Sequence, residues 1–236
     1  MKIDIALVTK NNVNDISGIQ YIPVGQLIVE TSRPLGIARA NAIKKVNTEW
    51  FAFIDDDIEI SEDWFRIITS RIDSDIGAVE GTTKSCGLGT RFDNAINKFA
   101  ANEHLQRRRE ITLGQRGFTG NTLIRTSIVK DWHPSFSELS SFEDYEITQH
   151  ILKKGYRWIV VPTSTIHRFT WRHAARSAMW SMQGWKSCAK PSALQKAKSI
   201  VRFAVSPFVM LTRTRDPYLF LYNLYEKLFC IVGILR

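Results

Sequence analysis

The sequence predicts an α/β fold, a mostly parallel central sheet flanked by helices, followed by a basic helical extension that associates with a membrane. Three observations lead there. Short aliphatic and β-branched segments alternate with helical periods over the first two-thirds of the chain. One of them, Trp50 to Ile54, is apolar at every position, as in a strand covered on both faces, and ends in Asp55-Asp56-Asp57. The charge is also divided: residues 1–167 hold 20 Lys and Arg against 21 Asp and Glu, whereas 168–236 hold 12 against 2. The net charge of +9 therefore belongs to the last third. A chain of 236 residues can bury one large core and carry an appendage, so the expected division is a domain over 1–168 and a helical, basic and aromatic extension over 169–236.

Residues 3–9 read as a first strand and Gly25 to Glu30 as a second. Pro34 to Val46 has apolar residues at Ile37, Ala40, Ile43 and Val46, a helical period. Ile76 to Glu80 is a short strand, Arg91 to Arg109 a polar helix, and Gly120 to Arg125 a loop and strand. Ser141 to Gly155 has a helix signature: Ser141 as N-cap, an acidic first turn, Lys153 and Lys154 at the end, and Gly155 as stop. Trp158 to Val161 is a strand closed by Pro162. Asp216 with Pro217 begins a last helix, whose central Asn223, Glu226 and Lys227 argue for an interfacial helix over a bilayer span.

Ligands in sheets of this kind bind beyond the carboxyl ends of the strands, where the triplet lies. Asp55 and Asp57 are two apart, so in an extended strand their side chains share a side that Asp56 does not. Where the chain turns, any two of the three reach one ion. Carboxylates completed by phosphate oxygens and water suit Mg²⁺ or Mn²⁺. A triplet by itself is also compatible with a solvated acidic loop.

The stretch from Gly36 to Ile60, with its Ala-Arg-Ala-Asn helix, buried strand and Asp-Asp-Asp, resembles the nucleotide-diphospho-sugar glycosyltransferases of the GT-A fold, family 2 in particular. Thr119-Gly-Asn-Thr-Leu-Ile-Arg is similar to the glycine-containing acceptor-side element. Phe142-Glu-Asp-Tyr-Glu is similar to the Glu-Asp block, and Lys154-Gly-Tyr to the Lys-Gly-Tyr element after it. The resemblance implies that Asp55 and Asp57 bind metal and diphosphate, with Asp56 nearer the ribose or sugar. It implies Asp144 as general base, Glu143 as its neighbour, Thr9 and Glu30 at the nucleoside, Arg39 near the donor, and His167 as a further metal ligand. The sequence departs from the family pattern in having Trp132-His-Pro-Ser-Phe-Ser-Glu where Gly-Gly-Phe-Asp is usual.

The expected activity is inverting transfer of a sugar from a UDP- or GDP-linked donor to a lipid-linked or saccharide acceptor, with Mn²⁺ or Mg²⁺. A nucleotidyltransferase or pyrophosphorylase would carry a glycine-rich basic loop after the first strand, and Thr9-Lys-Asn-Asn-Val has no glycine. A non-catalytic nucleotide-binding module is the other alternative. His104, His150 and the run Arg107-Arg108-Arg109 read as helix surface. Cys86, Cys188 and Cys230 are too scattered for a disulfide framework or zinc site and read as thiols of a reducing compartment. The N-terminus reads as a strand and not a signal peptide. Trp171, Met179, Trp180, Met182 and Trp185 among Lys and Arg suit the cytoplasmic face of an anionic membrane, ahead of helices packed on the domain with a basic outer face and of nucleic acid.

Overall fold

A computed structural model describes residues 1–9, 16–106, 110–136, 141–168 and 170–236, and the side chains of these except 102–106. The Arg107 to Arg109 run and the His104 side chain lie outside that description. The strands are β1 (Ile3–Val8), β2 (Val24–Glu30), β3 (Trp50–Asp55), β4 (Ile58–Glu59), β5 (Ile76–Cys86), β6 (Glu110–Ile111), β7 (Asn121–Arg125) and β8 (Arg157–Arg168). The helices are α1 (Leu35–Lys45), α2 (Trp64–Thr69), α3 (Thr90–Gln106), α4 (Thr126–Val129), α5 (Glu143–Lys153), α6 (Trp171–Ala189), α7 (Ala193–Thr214) and α8 (Pro217–Leu235). They form two compact units: Met1–Lys84 with Glu103–Glu138 and Glu143–Arg168, and Ser85–Asn102 with Leu139–Phe142 and Phe169–Arg236.

The first unit is a sheet between helices. Strand order is β2-β1-β3-β7-β5-β8-β4, with β6 on β8. Alternation along each strand builds two cores. From β1 and β3, Ala6, Val8, Phe51 and Phe53 pack with Ala38, Ala42 and Ile43 of α1 and Ile147 and Ile151 of α5. Ile3, Ile5, Leu7, Trp50, Ala52 and Ile54 pack on the other face with Trp64 and Ile68 of α2. The uninterrupted apolar run of β3 is thus used on both sides.

Three expectations need correction. The sheet is mixed, not mostly parallel: β1 is parallel to β2 and β3, but β3–β7, β5–β7, β4–β8 and β6–β8 are antiparallel. Local alternation of strand and helix marks βα units but cannot say which strand a later segment pairs with. β8 does not close at Pro162 but runs six residues beyond it. Pro162 is exposed there, and the next amide, Thr163 N–H, donates to Thr82 Oγ1 at 3.0 Å, so the strand path continues past the missing donor. Ser141 does not cap α5 directly, because Phe142 takes φ 86° and the helix starts at Glu143.

The second unit is organised by its caps and an aromatic cluster. Ser192 and Gln195 form a reciprocal capping box at α7. Asp216 accepts from the Tyr218 and Leu219 amides, with Pro217 first in α8, as the sequence indicates. Trp171 lies edge-on to Phe92 and Tyr225, each at 4.9 Å. Helix α8 is long and apolar enough to cross a membrane by length and composition.

One buried polar side chain fastens the sheet of the first unit to α2. Asn121 accepts from Trp64 Nε1 at 2.5 Å and donates to the Gly81 carbonyl at 2.9 Å, fully buried. Asn121→Leu preserves volume but leaves the indole N–H and the carbonyl unpaired, a loss of about 2–4 kcal/mol by urea unfolding. An unchanged midpoint would show that this bond network does not hold the unit.

Candidate active site

Thr9, Glu30 and Asp55 sit at the carboxyl ends of the three parallel strands, where Val8 is opposite both Glu30 and Asp55. The parity that sends Phe51 and Phe53 toward α1 and α5 sends Asp55 the same way. Arg39 of α1 meets it there: Nη2 donates to Asp55 Oδ1 at 3.0 Å, and Nε donates to Glu143 Oε1 at 3.1 Å. The guanidinium lies 4.6 Å from the centre of the Phe53 ring and is 3% exposed, so it is an internal ion bridge between two elements. Next in α5, Asp144 accepts from Arg116 Nε at 2.7 Å. Arg39 Nη1 and Glu143 Oε2 are buried without a hydrogen-bond partner among the described residues.

Burial raises the Asp55 carboxyl above its ordinary range, with Arg39 opposing. Burial and the adjacent Asp144 push Glu143 up to about 7, against the pull of Arg39 and Arg116. Both arginines are held more firmly protonated than usual: burial disfavours their charge, but the facing carboxylates outweigh it.

The triplet fans out instead of pairing Asp55 with Asp57 along a strand, because β3 ends at Asp55 and the chain turns over Asp56 and Asp57. Asp56 Oδ2 accepts from Thr9 Oγ1 at 2.5 Å. Asp57 Oδ2 lies 3.3 Å from His167 Nε2, and the Asp57 carbonyl accepts from the Arg168 amide at 2.8 Å. Pairing of β4 with β8 sets this, placing Ile58 opposite His167. The His167 ring stacks on Phe118 at 5.7 Å. Glu30 faces Lys45 Nζ at 2.8 Å; burial would raise its carboxyl, but Lys45 and Ser32 hold it at about 2.

The structure thus brings Arg39, Asp55 and Glu143 into one ionic chain with the Arg116–Asp144 pair next to it in sequence, Asp57 and His167 into a second group, and Thr9 and Asp56 into a third. His150 lies on α5 beside the Ile128 carbonyl and Asp131. Arg116 and Phe118 are not marked by any of the sequence motifs, whereas Gly120 belongs to the glycine-containing element expected on the acceptor side. Their signal is the run Gly114-Gln-Arg-Gly-Phe-Thr-Gly120, too rich in glycine for a helix and leading into β7. Gly120 accepts from the Asp55 amide at 3.0 Å, and a Cβ there would overlap Asp55 Oδ2, so only glycine lets the two strands' ends approach.

Comparison with known proteins places this geometry. The sequence profile described as "Glycosyl transferase family 2" matches residues 19–132, which include Glu30, Arg39, the triplet and Arg116. Residues 19–132 are a glycosyl transferase family 2 domain. Mannosyltransferase PcManGT from Pyrobaculum calidifontis, solved with GDP-Man and Mn²⁺, superposes with a TM-score of 0.57 at 14% identity, over 98% of this chain and 77% of that one. Glucosyl-3-phosphoglycerate synthase from Mycobacterium tuberculosis, solved with Mn²⁺ and UDP-glucose, gives 0.50 at 14% identity, over 81% and 80%. These likenesses show the shared GT-A fold. No curated protein sequence matches the chain. The chain is a glycosyltransferase on the GT-A fold, with the mixed sheet described above.

In this glycosyltransferase the raised Glu143 carboxyl has a measurable consequence. The folded chain holds that proton from the ordinary 4.5 up to about 7, whereas unfolding releases it across this window. Its contribution to stability therefore falls as pH rises from 4.5 to 7 and levels off above. Glu143→Gln cannot ionise and flattens that part of the profile in denaturation midpoints measured across the window. Parallel profiles for the two proteins would place the titration elsewhere.

Proposed function

We propose that the chain is an inverting glycosyltransferase that moves a sugar from a UDP- or GDP-linked donor to a lipid-linked or saccharide acceptor. The observation that carries this reading is the ionic chain Asp55–Arg39–Glu143 beside Asp144. It couples the carboxylates at the strand ends to a second acidic pair on α5, giving one group of acids for the donor and one for the acceptor.

Asp57 and His167 fit a divalent cation. Their ligand atoms are 3.3 Å apart, both side chains are roughly one-fifth exposed, and oxygen with imidazole nitrogen suits Mn²⁺ well and Mg²⁺ less so. Asp55 stands behind them, its Oδ1 already engaged by Arg39. When bound, the cation supplies positive charge against the diphosphate. That PcManGT and the synthase were solved with Mn²⁺ and a nucleotide sugar supports the same choice of ligands here.

The chain's own residues perform the rest. Asp144 accepts the acceptor hydroxyl proton as the oxygen attacks the anomeric carbon. The bond from that carbon to the diphosphate oxygen breaks, and the nucleoside diphosphate leaves with the electron pair. One displacement inverts the anomeric configuration. Arg116 orients Asp144 through its 2.7 Å bond. Arg39, too buried to reach solvent, positions Asp55 and Glu143. Thr9 after β1, Asp56 after β3 and Glu30 at the end of β2 lie where a ribose and base would be held. Residues 1–168 carry this chemistry, and the basic helices after them keep the enzyme peripheral on the cytoplasmic membrane face, near a lipid-linked acceptor.

A thermal-shift panel of nucleotide sugars with and without Mn²⁺ tests the donor reading. At least one UDP- or GDP-sugar is expected to raise the melting temperature only with metal, and Asp57→Asn to abolish that rise. A panel without any metal-dependent shift would remove the basis for it. Asp144→Asn should lower turnover by about 10²- to 10⁴-fold while donor binding survives; turnover equal to the wild type would exclude Asp144 as base.

A further inference from the structure

Helix α7 is apolar on two opposite sides. Toward α8, Pro207 is buried, Ser206 Oγ donates to Asn223 Oδ1 at 3.1 Å, and Phe203 lies under Lys227 Nζ at 5.7 Å. The other side carries Leu194, Val201, Val205, Phe208 and Val209, spaced at seven, four, three and one so that they share one face, and each 48% to 63% exposed. Phe208 also reaches the edge of Phe220 at 5.5 Å, which fixes the stripe to the helix pair. A face of this size, running along a helix of 22 residues, about 33 Å, is more than scattered surface apolarity.

The charge beside the stripe identifies what covers it. Arg202 and Arg213 are exposed along its flank, Lys198 is exposed within the stripe with a stem long enough to carry its charge outward, and α7 contains no acidic residue. The two acids near it in sequence are engaged: Asp216 by the amides of α8, and Glu226 beside Lys227 at 3.2 Å. A second copy would bring one cationic face against another. An anionic bilayer offers both acyl chains for the stripe and phosphates for its flank.

We propose that the outer face of α7 lies in the plane of an anionic bilayer, with Val201, Val205 and Phe208 below the headgroups and Lys198, Arg202 and Arg213 among their phosphates. This deepens, and rests on, the peripheral-membrane part of the proposed function. It makes α7, and not the more apolar α8, the helix that enters the lipid. Inner polar groups explain the difference: Asn223 and Lys227 of α8 are turned to α7, whereas the α7 stripe has no such partner on its outer side among the described residues.

The test is sedimentation of the full chain with vesicles of phosphatidylcholine and phosphatidylglycerol, or of phosphatidylcholine alone. The wild type should bind the anionic vesicles at least about tenfold more tightly, and added salt should erase the difference. Val201→Asn with Val205→Asn should lower binding to anionic vesicles by roughly tenfold or more at an unchanged melting temperature. Lys198→Gln with Arg202→Gln should reduce the preference for anionic lipid. Wild-type binding by the apolar variant would overturn the assignment to α7 while leaving peripheral attachment standing. A lipid-free dimer that the same variant splits would overturn it in favour of contact between copies. The metal-dependent shift with nucleotide sugars, measured on the same proteins, separates the two readings: a donor shift without vesicle binding rejects this inference and the peripheral attachment it rests on while leaving the transferase chemistry standing, and vesicle binding without a donor shift rejects the transferase chemistry alone.

Discussion

A guanidinium removed from water must recover its hydration from the groups around it, and at Arg39 those groups are Asp55, Glu143 and the face of Phe53. Most of the site's geometry derives from that requirement. The cation comes from α1, one anion from the end of β3 and the other from the first turn of α5, so the charge can be satisfied only when all three elements are docked. Removing either acid would leave a buried cation half paired, which is far more costly than loss of a surface ion pair. The bridge also divides the triplet's work: Asp55 is committed inward, leaving Asp56 and Asp57 to face Thr9 and His167.

The two cores place this bridge and Gly120 keeps it open. β3 can send Asp55 toward α1 and α5 because Phe51 and Phe53 are already embedded on that side and Trp50, Ala52 and Ile54 on the other. A one-residue slip would bury the wrong set and take the carboxylate to the α2 face. Antiparallel pairing with β7 then brings Gly120 against Asp55, at a separation no side chain would tolerate. The site is therefore supported from β3, β7, α1 and α5 together, and its polar groups are positioned by packing that is itself apolar.

This explains what could be read in the sequence. β1, β2 and β3 were legible as short aliphatic and β-branched runs and α1 by its helical period, and the triplet because a run of charge after five buried residues is improbable without a purpose. The antiparallel half of the sheet was not, since β7 and β8 find partners by long-range pairing that leaves no local mark. The strand past Pro162 was missed because the neighbouring Thr82 side chain, 81 residues away, takes the next amide. Arg39 could be placed near the site by its position in the helix, but not as the bridge: its partner Glu143 lies 104 residues on. Arg116 had only the glycine-rich run around it as a signal, which marks a loop but not the partner that its arginine finds.

The C-terminal helices obey the opposite logic to the core. In the inner strands β1 and β3, apolar residues are used up on both faces, and polar groups such as Asn121 of β7 are satisfied internally. In the second unit, α8 resolves its polar middle against α7, through Asn223 with Ser206 and Lys227 over Phe203, whereas α7 presents a full apolar side outward. Packing among α6, α7 and α8 accounts for their caps and for the aromatic cluster around Trp171, but it gives no reason for Val201, Val205 and Phe208 to remain apolar where water would favour polar residues. The same segment also concentrates the chain's excess positive charge. Apolar exposure and cationic flanks on one helix have a common physical account only if the outer surface meets a partner that is apolar and anionic at once, and a lipid bilayer with acidic headgroups meets both conditions.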